Sequence, residues 1–179
     1  MKLKLIQAAW HVSAVFLVSL TLLASAQAQS TSLIFERTEI RIDSPPVDEK
    51  EKNPKPPHSS VRYDVEVRGE DALKLEYIHT LNTLTPTTGV MLVFDSPSIA
   101  SLPMMKVYTP VDALFVADDG TLLQISPMVT LGEMNQNVQA RGPVKAFLFL
   151  KAGEAAARGL HPRDTVAGTM FSPPLPAQE

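Results

Sequence analysis

The strictest constraint on the fold is a run of two-residue alternation near the middle of the chain. Val61, Tyr63, Val65 and Val67 alternate with a charged residue at every intervening position up to Arg68. Successive side chains of a β-strand point to opposite faces, so this pattern places one face on a core and the other in solvent. The run therefore predicts a half-exposed strand of an antiparallel sheet.

A second β signal is the turn sequence Asp118-Asp119-Gly120, which lies between residues 111–117, apolar except for Asp112, and a strand-like run at 121–125. A tight hairpin turn needs positive φ angles, which Gly and Asp tolerate. The two runs are therefore predicted to form a β-hairpin.

The remaining patterns are short and mostly apolar. Residues 90–94 and 144–150 are typical of buried strands, whereas 71–79 and the turn after Gly153 favour short helices, the second one closed by Gly159. Further strands are predicted at 33–42, 104–108 and 165–170. The fold class is mainly β (α+β): a small bent antiparallel sheet or barrel with one or two short helices.

The first residues have the order of a secretory signal. Lys2 and Lys4 precede an uncharged apolar stretch at 12–23, and the small residues at 24–28 (ASAQA) end it. Cleavage is expected after Ala26 or Ala28, so residues 1–28 are predicted to be a signal peptide and the mature protein to be periplasmic or secreted. An uncleaved anchor is the alternative, but the apolar stretch is shorter than the roughly 20 residues that span a bilayer.

The mature chain of about 150 residues indicates a single domain with a real core. Loss of the two leader lysines changes the formal net charge from −3 to −5, which argues against nucleic acid or an anionic membrane surface as a partner. The chain contains no cysteine, so thiol chemistry, zinc–thiolate sites and iron–sulfur clusters are excluded.

Composition divides the mature chain into three parts. Residues 29–60 combine the first strand with a segment rich in proline and charge, which is predicted to be an extended linker. Residues 61–170 are predicted to be the single β-rich domain. Residues 171–179 contain three prolines and are predicted to be a disordered tail.

Four motifs within residues 61–168 resemble the domain of unknown function 192 family. They are GVMLVF at 89–94, PVDALFV at 110–116, the Asp119-Gly120 turn, and the ending that runs from AGEA at 152–155 through Gly159-Leu160 to Asp164-Thr165-Val166. The resemblance covers most of the mature domain. It implies no assigned activity, and the export signals that many family members carry are consistent with the leader.

The chain departs from the family pattern at two places. The family has Phe-Trp-Met-Lys-Asn-Thr upstream of Pro-Leu-Asp, where this chain has LPMMKVY at 102–108. Arg163 stands where the family has a Gly before the final Asp. If this motif builds a functional pocket in relatives, that pocket is altered here.

The candidate ligand-binding residues are Asp112, Lys106, Met105, Tyr108 and Asp164. Asp112 interrupts an apolar strand, so its carboxylate is either outward-facing or buried with a partner, such as turn amides or Lys106. Asp164 is expected to accept backbone donors in its turn. No catalytic constellation, metal site or cofactor is predicted. Methionine side chains commonly fill irregular cores, and this role is preferred here. The alternative is a copper(I) site formed by the thioethers of Met91, Met104, Met105, Met128 and Met134.

The leading function hypothesis is a non-enzymatic binding or interaction module whose site is formed by loops 95–108 and 127–143, with a small ligand or an envelope protein as partner. One alternative is a hydrolase-like or sugar-modifying enzyme that uses Asp112 with Lys106. Another is a subunit that adds its strand 33–42 to the sheet edge of a partner.

Overall fold

The computed structural model describes residues 36–45, 57–74, 78–103, 105–132 and 138–171. The predicted leader, most of the predicted linker and the tail after Phe171 lie outside these residues. The described residues all belong to one unit. No helix in this part of the chain is long and apolar enough to cross a bilayer.

Seven strands form one curled sheet, a half-barrel, which confirms the predicted mainly β fold class. The strands are β1 (Glu36–Asp43), β2 (Val61–Arg68), β3 (Thr88–Ser98), β4 (Val111–Val116), β5 (Leu122–Val129), β6 (Val144–Lys151) and β7 (Thr165–Ala167). Their order across the sheet is β5-β4-β6-β3-β2-β1-β7. One short helix, α1 (Glu154–Ala157), lies between β6 and β7.

The ends of the sheet approach each other where β5 begins. The Leu122 N–H donates to the Asp164 carbonyl (2.8 Å) and the Val166 N–H donates to the Gly120 carbonyl (2.8 Å). An isolated bridge joins Thr121 to Thr165 beside them. These contacts curl the sheet and bring β7 against the β4–β5 turn.

Both faces of the sheet are buried, which explains why the central strands are continuously apolar. Phe147 and Phe149 of β6 pack in one core cluster, under the loops and turns that cover the outer face. Leu148 and Leu150 point the other way into the second cluster, inside the curl. Phe147 also packs edge-to-face on Phe115, with ring centroids 5.1 Å apart.

The predicted hairpin, the predicted strand at 144–150 and the helical turn after Gly153 are confirmed. Gly120 adopts φ +83° in the β4–β5 turn, where β4 and β5 pair antiparallel. Neighbouring strands pair antiparallel, as predicted, except β2 and β3, which pair parallel. The connection between these two strands crosses over the outer face and returns in the same direction.

The predicted helix over 71–79 was wrong. Two 3₁₀ segments occur instead, Glu70–Lys74 and His79–Asn82. Ala72 of the first segment and Leu81 of the second are buried, as is Ile78, the residue that precedes the second segment.

Several strand boundaries also differ from the sequence prediction. β3 continues to Ser98 and β5 to Val129, whereas β7 ends at Ala167. The described residues of the predicted strand at 104–108 lie outside any strand.

The first strand is part of this sheet. β1 pairs with β2 along its length, from Glu36 opposite Val67 to Ile42 opposite Val61, and residues 41–43 also pair with β7. The folded unit therefore begins upstream of the predicted start at Val61, and the strand predicted for donation to a partner is used internally. Residues 44–60 connect two neighbouring strands rather than two separate parts of the protein.

Candidate functional site

Asp112 is buried at the first turn of α1. The whole of β4 is buried and Asp112 itself is 0% exposed. Its Oδ1 accepts the N–H of Met128 (2.9 Å) and of Gly153 (3.1 Å), and its Oδ2 accepts the N–H of Ala155 (2.9 Å). The side chain therefore connects β4 to the end of β5 and to α1.

This carboxylate replaces a conventional helix cap. The N-cap residue of α1 is Gly153, which has no side chain to accept the first N–H groups of the helix. A negative charge at the N-terminus of a helix is also electrostatically favourable. The predicted structural role of Asp112, accepting turn amides, is confirmed.

Asp164 forms a second buried carboxylate centre. Its Oδ2 accepts the backbone N–H of His161 (2.7 Å), as predicted, and also contacts Nε2 of His58 (2.9 Å). The other ring nitrogen of His58 lies 2.8 Å from the Ser59 carbonyl oxygen. Both ring nitrogens are therefore engaged, and neither is available to activate a nucleophile.

His58 also fixes the chain that leads into β2. Its backbone N–H donates to Oγ of Ser44 (2.9 Å), and the hydroxyl of Ser60 donates to Oδ1 of Asp43 (2.5 Å). His58 falls within residues 29–60, whose proline- and charge-rich part was predicted to be an extended linker. No local signal could have revealed its contact with Asp164, which lies 106 positions away.

The other candidate residues lie on a loop that crosses the outer face. Met105 is buried in the outer-face cluster, whereas Lys106 is exposed and Tyr108 is 77% exposed. Met105 donates its backbone N–H to the Leu131 carbonyl (2.9 Å). The structure thus separates the five candidates into three buried side chains and two exposed ones.

The two predicted site loops lie against each other. Besides the bond from Met105, the Leu102 N–H donates to the Val138 carbonyl (3.0 Å) and the Ala140 N–H donates to the Ala100 carbonyl (2.9 Å). The partners advance along the first loop while they go back along the second, so the two segments run antiparallel. The described residues of the two loops therefore form one layer over the outer-face core.

The exposed apolar side chains of the described residues concentrate on these loops. The large ones are Ile99 (62% exposed), Tyr108 (77%) and Met128 (64%). Met128 also has φ +53°, an uncommon conformation for a side-chain-bearing residue. We call these three side chains the loop surface.

β2 carries a buried polar cluster that the sequence pattern did not predict. Glu66 was predicted to face solvent with the other charges of the alternating run, but it is almost fully buried. It accepts hydrogen bonds from Nε of Arg68 (2.6 Å) and from the Thr80 hydroxyl (2.5 Å). The segment after β2 covers this face of the strand, which a local pattern does not reveal.

A third polar contact lies at α1. Nε of Arg158 donates to Oε1 of the buried Glu154 (2.6 Å). Burial raises the pKa of the Tyr63 phenol, and the negative charge of Glu154 raises it further. Tyr63 therefore stays neutral and is not suited to act as a base.

The described residues contain no group of three or more potential metal ligands among His, Cys, Asp and Glu. Among the described candidate methionines, Met91 and Met105 belong to different core clusters on opposite faces of the sheet, and Met128 is exposed. Met104 and Met134 lie outside the described residues.

Comparison with known proteins places this half-barrel in a family without an assigned activity. The model of domain of unknown function 192 (DUF192), described as an uncharacterised ACR, matches residues 55–168. The chain belongs to this family, as its motifs indicated. No curated protein matches the chain significantly.

Two solved structures share the fold. One is a putative transcription regulator from Sinorhizobium meliloti 1021, with a TM-score of 0.60 and 21% identity over 76% of this chain and 97% of that chain. The other is a protein of unknown function from Novosphingobium aromaticivorans DSM 12444, with a TM-score of 0.60 and 22% identity over 81% of this chain and 94% of that one. At this level of identity the likeness shows the fold alone.

Proposed function

We propose that this protein is a non-enzymatic binding or interaction module that works in the periplasm or outside the cell. The order of charge, apolar stretch and small residues in positions 1–28 supports export. A small ligand or an envelope protein is the partner class that fits an exported domain with a net negative charge.

The observation that carries the proposal is the position of the loop surface. Aromatic residues and methionine are enriched at protein interfaces, where their large apolar area contributes most of the binding energy. Tyr108 combines such an area with a hydroxyl group that can donate a hydrogen bond. Ile99 and Tyr108 lie in the first of the two loops and Met128 lies at the end of β5, where the second predicted loop begins, so all three project from segments supported by the sheet.

The alternative, a hydrolase-like or sugar-modifying enzyme, requires a carboxylate that a substrate can reach. Asp112 is fully buried, and both of its oxygen atoms already accept backbone N–H groups. General acid–base catalysis needs direct contact or one bridging water between the side chain and the substrate. The geometry therefore favours the binding module.

Export is tested by the mass of the protein recovered from the cell envelope. A mature chain that begins at Gln27 or Gln29 supports the proposal, and an uncleaved chain in the cytoplasm contradicts it. Native mass spectrometry of the same sample then reports any additional non-covalent mass.

Binding is tested by placing a photo-crosslinking amino acid at position 108 in cells. The matched control carries the same group at position 62, because the Arg62 side chain is similarly exposed and lies on β2, outside both loops. We expect a discrete adduct from position 108 and none from position 62. Equal labelling at both positions, or none at either, would refute a binding role for the loop surface.

A further inference from the structure

One arginine of this protein has no acidic partner. The chain contains seven arginines, and the structure describes all of them. Five of them pair with a nearby carboxylate: Arg37, Arg41, Arg62, Arg68 and Arg158. Arg163 is also engaged by another residue. Arg141 is exposed and forms no ion pair or side-chain hydrogen bond in the described part of the chain, although acids outnumber bases in this protein.

Arg141 lies on the outer side of the loop layer, the described residues of the two predicted site loops. The bridge between Ser101 and Gln139 fixes the register of these loops. Side chains alternate between the two sides of paired strands, so the next pair on the same side is Ile99 and Arg141. The alternate residues pack on the outer-face cluster: Ala100, Leu102, Val138 and Ala140. Arg141 therefore stands beside an apolar side chain of the loop surface.

The charges of the loop layer differ in sign from the charge of the whole protein. Its basic residues are Lys106 and Arg141, and both are exposed. Its acid is Asp95, at the start of the first loop, where Nζ of Lys145 donates to the Asp95 carbonyl oxygen (3.0 Å). The net charge of the chain is −3. The loop surface is therefore complementary to an anionic group.

We propose that the loop surface binds an acidic segment of another protein, with a carboxylate of that segment paired to Arg141 and an adjacent apolar side chain packed on Ile99. This inference rests on the proposed binding function and names its partner class. The planar guanidinium of arginine can pair with both oxygens of a carboxylate. Arginine and tyrosine are also enriched among the residues that contribute most to protein–protein binding.

The exposure of the loop surface favours a protein over a small ligand. Small-ligand sites are concave and enclose most of the ligand. Ile99, Tyr108 and Met128 are 62%, 77% and 64% exposed, so they project from their segments rather than line a cavity. Anionic lipids would also offer negative groups to Arg141, but the net negative charge of the whole protein opposes its approach to such a membrane.

The test uses the photo-crosslinking group at position 108, in cells that produce the full chain. Arg141→Glu reverses the charge beside Ile99. Arg62→Glu is the matched control, because it changes the net charge equally and lies on β2, outside both loops. We expect Arg141→Glu to lower the yield of the adduct about fivefold or more and Arg62→Glu to leave it unchanged. Circular dichroism of the purified variants checks that both keep the fold.

Charge restoration identifies the partner group. Mass spectrometry of the adduct locates the crosslinked segment, whose Asp and Glu residues are then replaced by Lys one at a time. We expect one of these replacements to restore the adduct with Arg141→Glu and to weaken the adduct with the unchanged protein. This reciprocal effect requires that the two charges meet, and a misfolded Arg141→Glu variant would not show it.

Several outcomes would overturn the inference. They are an Arg141→Glu protein that is crosslinked as efficiently as wild type, a set of Lys replacements that restores nothing, and an adduct with a lipid, a small molecule, a second copy of this chain or a segment without acids. Each of them still includes an adduct at position 108, so the binding role of the loop surface would stand. The absence of any adduct would instead refute the proposed function, and this inference with it.

Discussion

At the scale of single residues, two buried carboxylates carry most of the polar organisation of this protein. A buried charge is costly unless it is hydrogen-bonded, and bonds from N–H groups to a carboxylate are stronger than neutral ones. Asp112 meets this requirement with three N–H donors from two other elements. The buried charge is therefore tolerated, and it holds together segments that lie 16 to 43 residues further along the chain.

Replacing Asp112 by Asn tests this role. Asn keeps the shape but has one oxygen, so its amide NH₂ would face either Ala155 N–H or the pair of N–H groups from Met128 and Gly153. We expect a loss of about 1–3 kcal/mol in the free energy of unfolding for each buried donor left unsatisfied. Urea denaturation measures the change.

Asp95→Asn is the matched control, since Asp95 is exposed, and we expect its stability to change by less than about 0.5 kcal/mol. An Asp112→Asn protein as stable as wild type would contradict the structural role and return Asp112 to the list of functional candidates.

Sequence reasoning could predict that Asp112 was unusual, because an acid in an apolar strand needs an explanation. It could not identify the donors Gly153 and Ala155, since their approach depends on how β6 and α1 fold back beside β4. The same limit applies to His58 and Asp164. Met105, Lys106 and Tyr108 were all candidates from the sequence. The sequence did not predict that Met105 is buried and that the other two are exposed.

At the scale of secondary-structure elements, the β4–β5 turn closes the curl of the sheet. A Cβ on Gly120, which has φ +83°, would lie 2.3 Å from the Val166 carbonyl oxygen. Gly120→Ala therefore combines an unfavourable backbone angle with a collision against β7. We expect a loss of about 2–4 kcal/mol, measured by urea denaturation.

Gly142→Ala is the control for Gly120→Ala. A Cβ at position 142 meets Leu123 Cδ1 at 3.5 Å, an ordinary contact, so we expect little change. Equal effects of the two substitutions would mean that the closure between the turn and β7 does not matter for stability.

The junction of β1 and β2 predicts a pH dependence. Burial alone raises the pKa of Asp43, but the hydrogen bond from Ser60 and the contact with Arg41 outweigh it and leave the pKa below its usual value. A carboxyl with a lowered folded-state pKa stabilises the protein above the unfolded-state pKa of about 3.9, and this contribution is lost as the pH falls.

The measurement is the difference in unfolding free energy between wild type and Asp43→Asn as a function of pH. We expect the difference to be largest near neutral pH and to shrink below about pH 4, where the wild-type carboxyl becomes protonated. A difference that is constant down to pH 3 would show that the Asp43 charge does not contribute.

Elements with strong local patterns could be predicted from the sequence. The alternation of β2, the Asp-Gly turn and the apolar run of β6 each depend on neighbouring residues, and each is present. The helix predicted over 71–79 was wrong, and β3 is longer than the strand predicted at 90–94. The residues that cover Ile78 and those that pair with β3 beyond Val93 come from distant parts of the chain, so a local pattern does not reveal them. The parallel pairing of β2 with β3 depends on the crossover between them, which no periodicity encodes.

At the scale of the whole molecule, stability should decrease from the centre of the sheet toward the closure, the contact of β7 with the β4–β5 turn and the start of β5. β6 is flanked by β3 and β4 and is buried on both faces. β7 is three residues long, and its first residue, Thr165, forms a bridge with Thr121, just before β5 begins. Because local opening requires fewer broken contacts at the closure, the two regions should exchange their amide protons by different routes.

Native-state hydrogen exchange measures this difference directly. We expect the amides of Phe147, Leu148 and Phe149 to exchange only through global unfolding, with a free energy equal to that from urea denaturation. The amides of Leu122 and Val166, which donate across the closure, should exchange through a smaller opening at lower free energy. Gly120→Ala should speed their exchange further, relative to β6, because it disturbs the same contact. If the closure amides were as protected as those of β6, the contact between β7 and the start of β5 would unfold together with the centre of the sheet, and the predicted gradient of stability would be wrong.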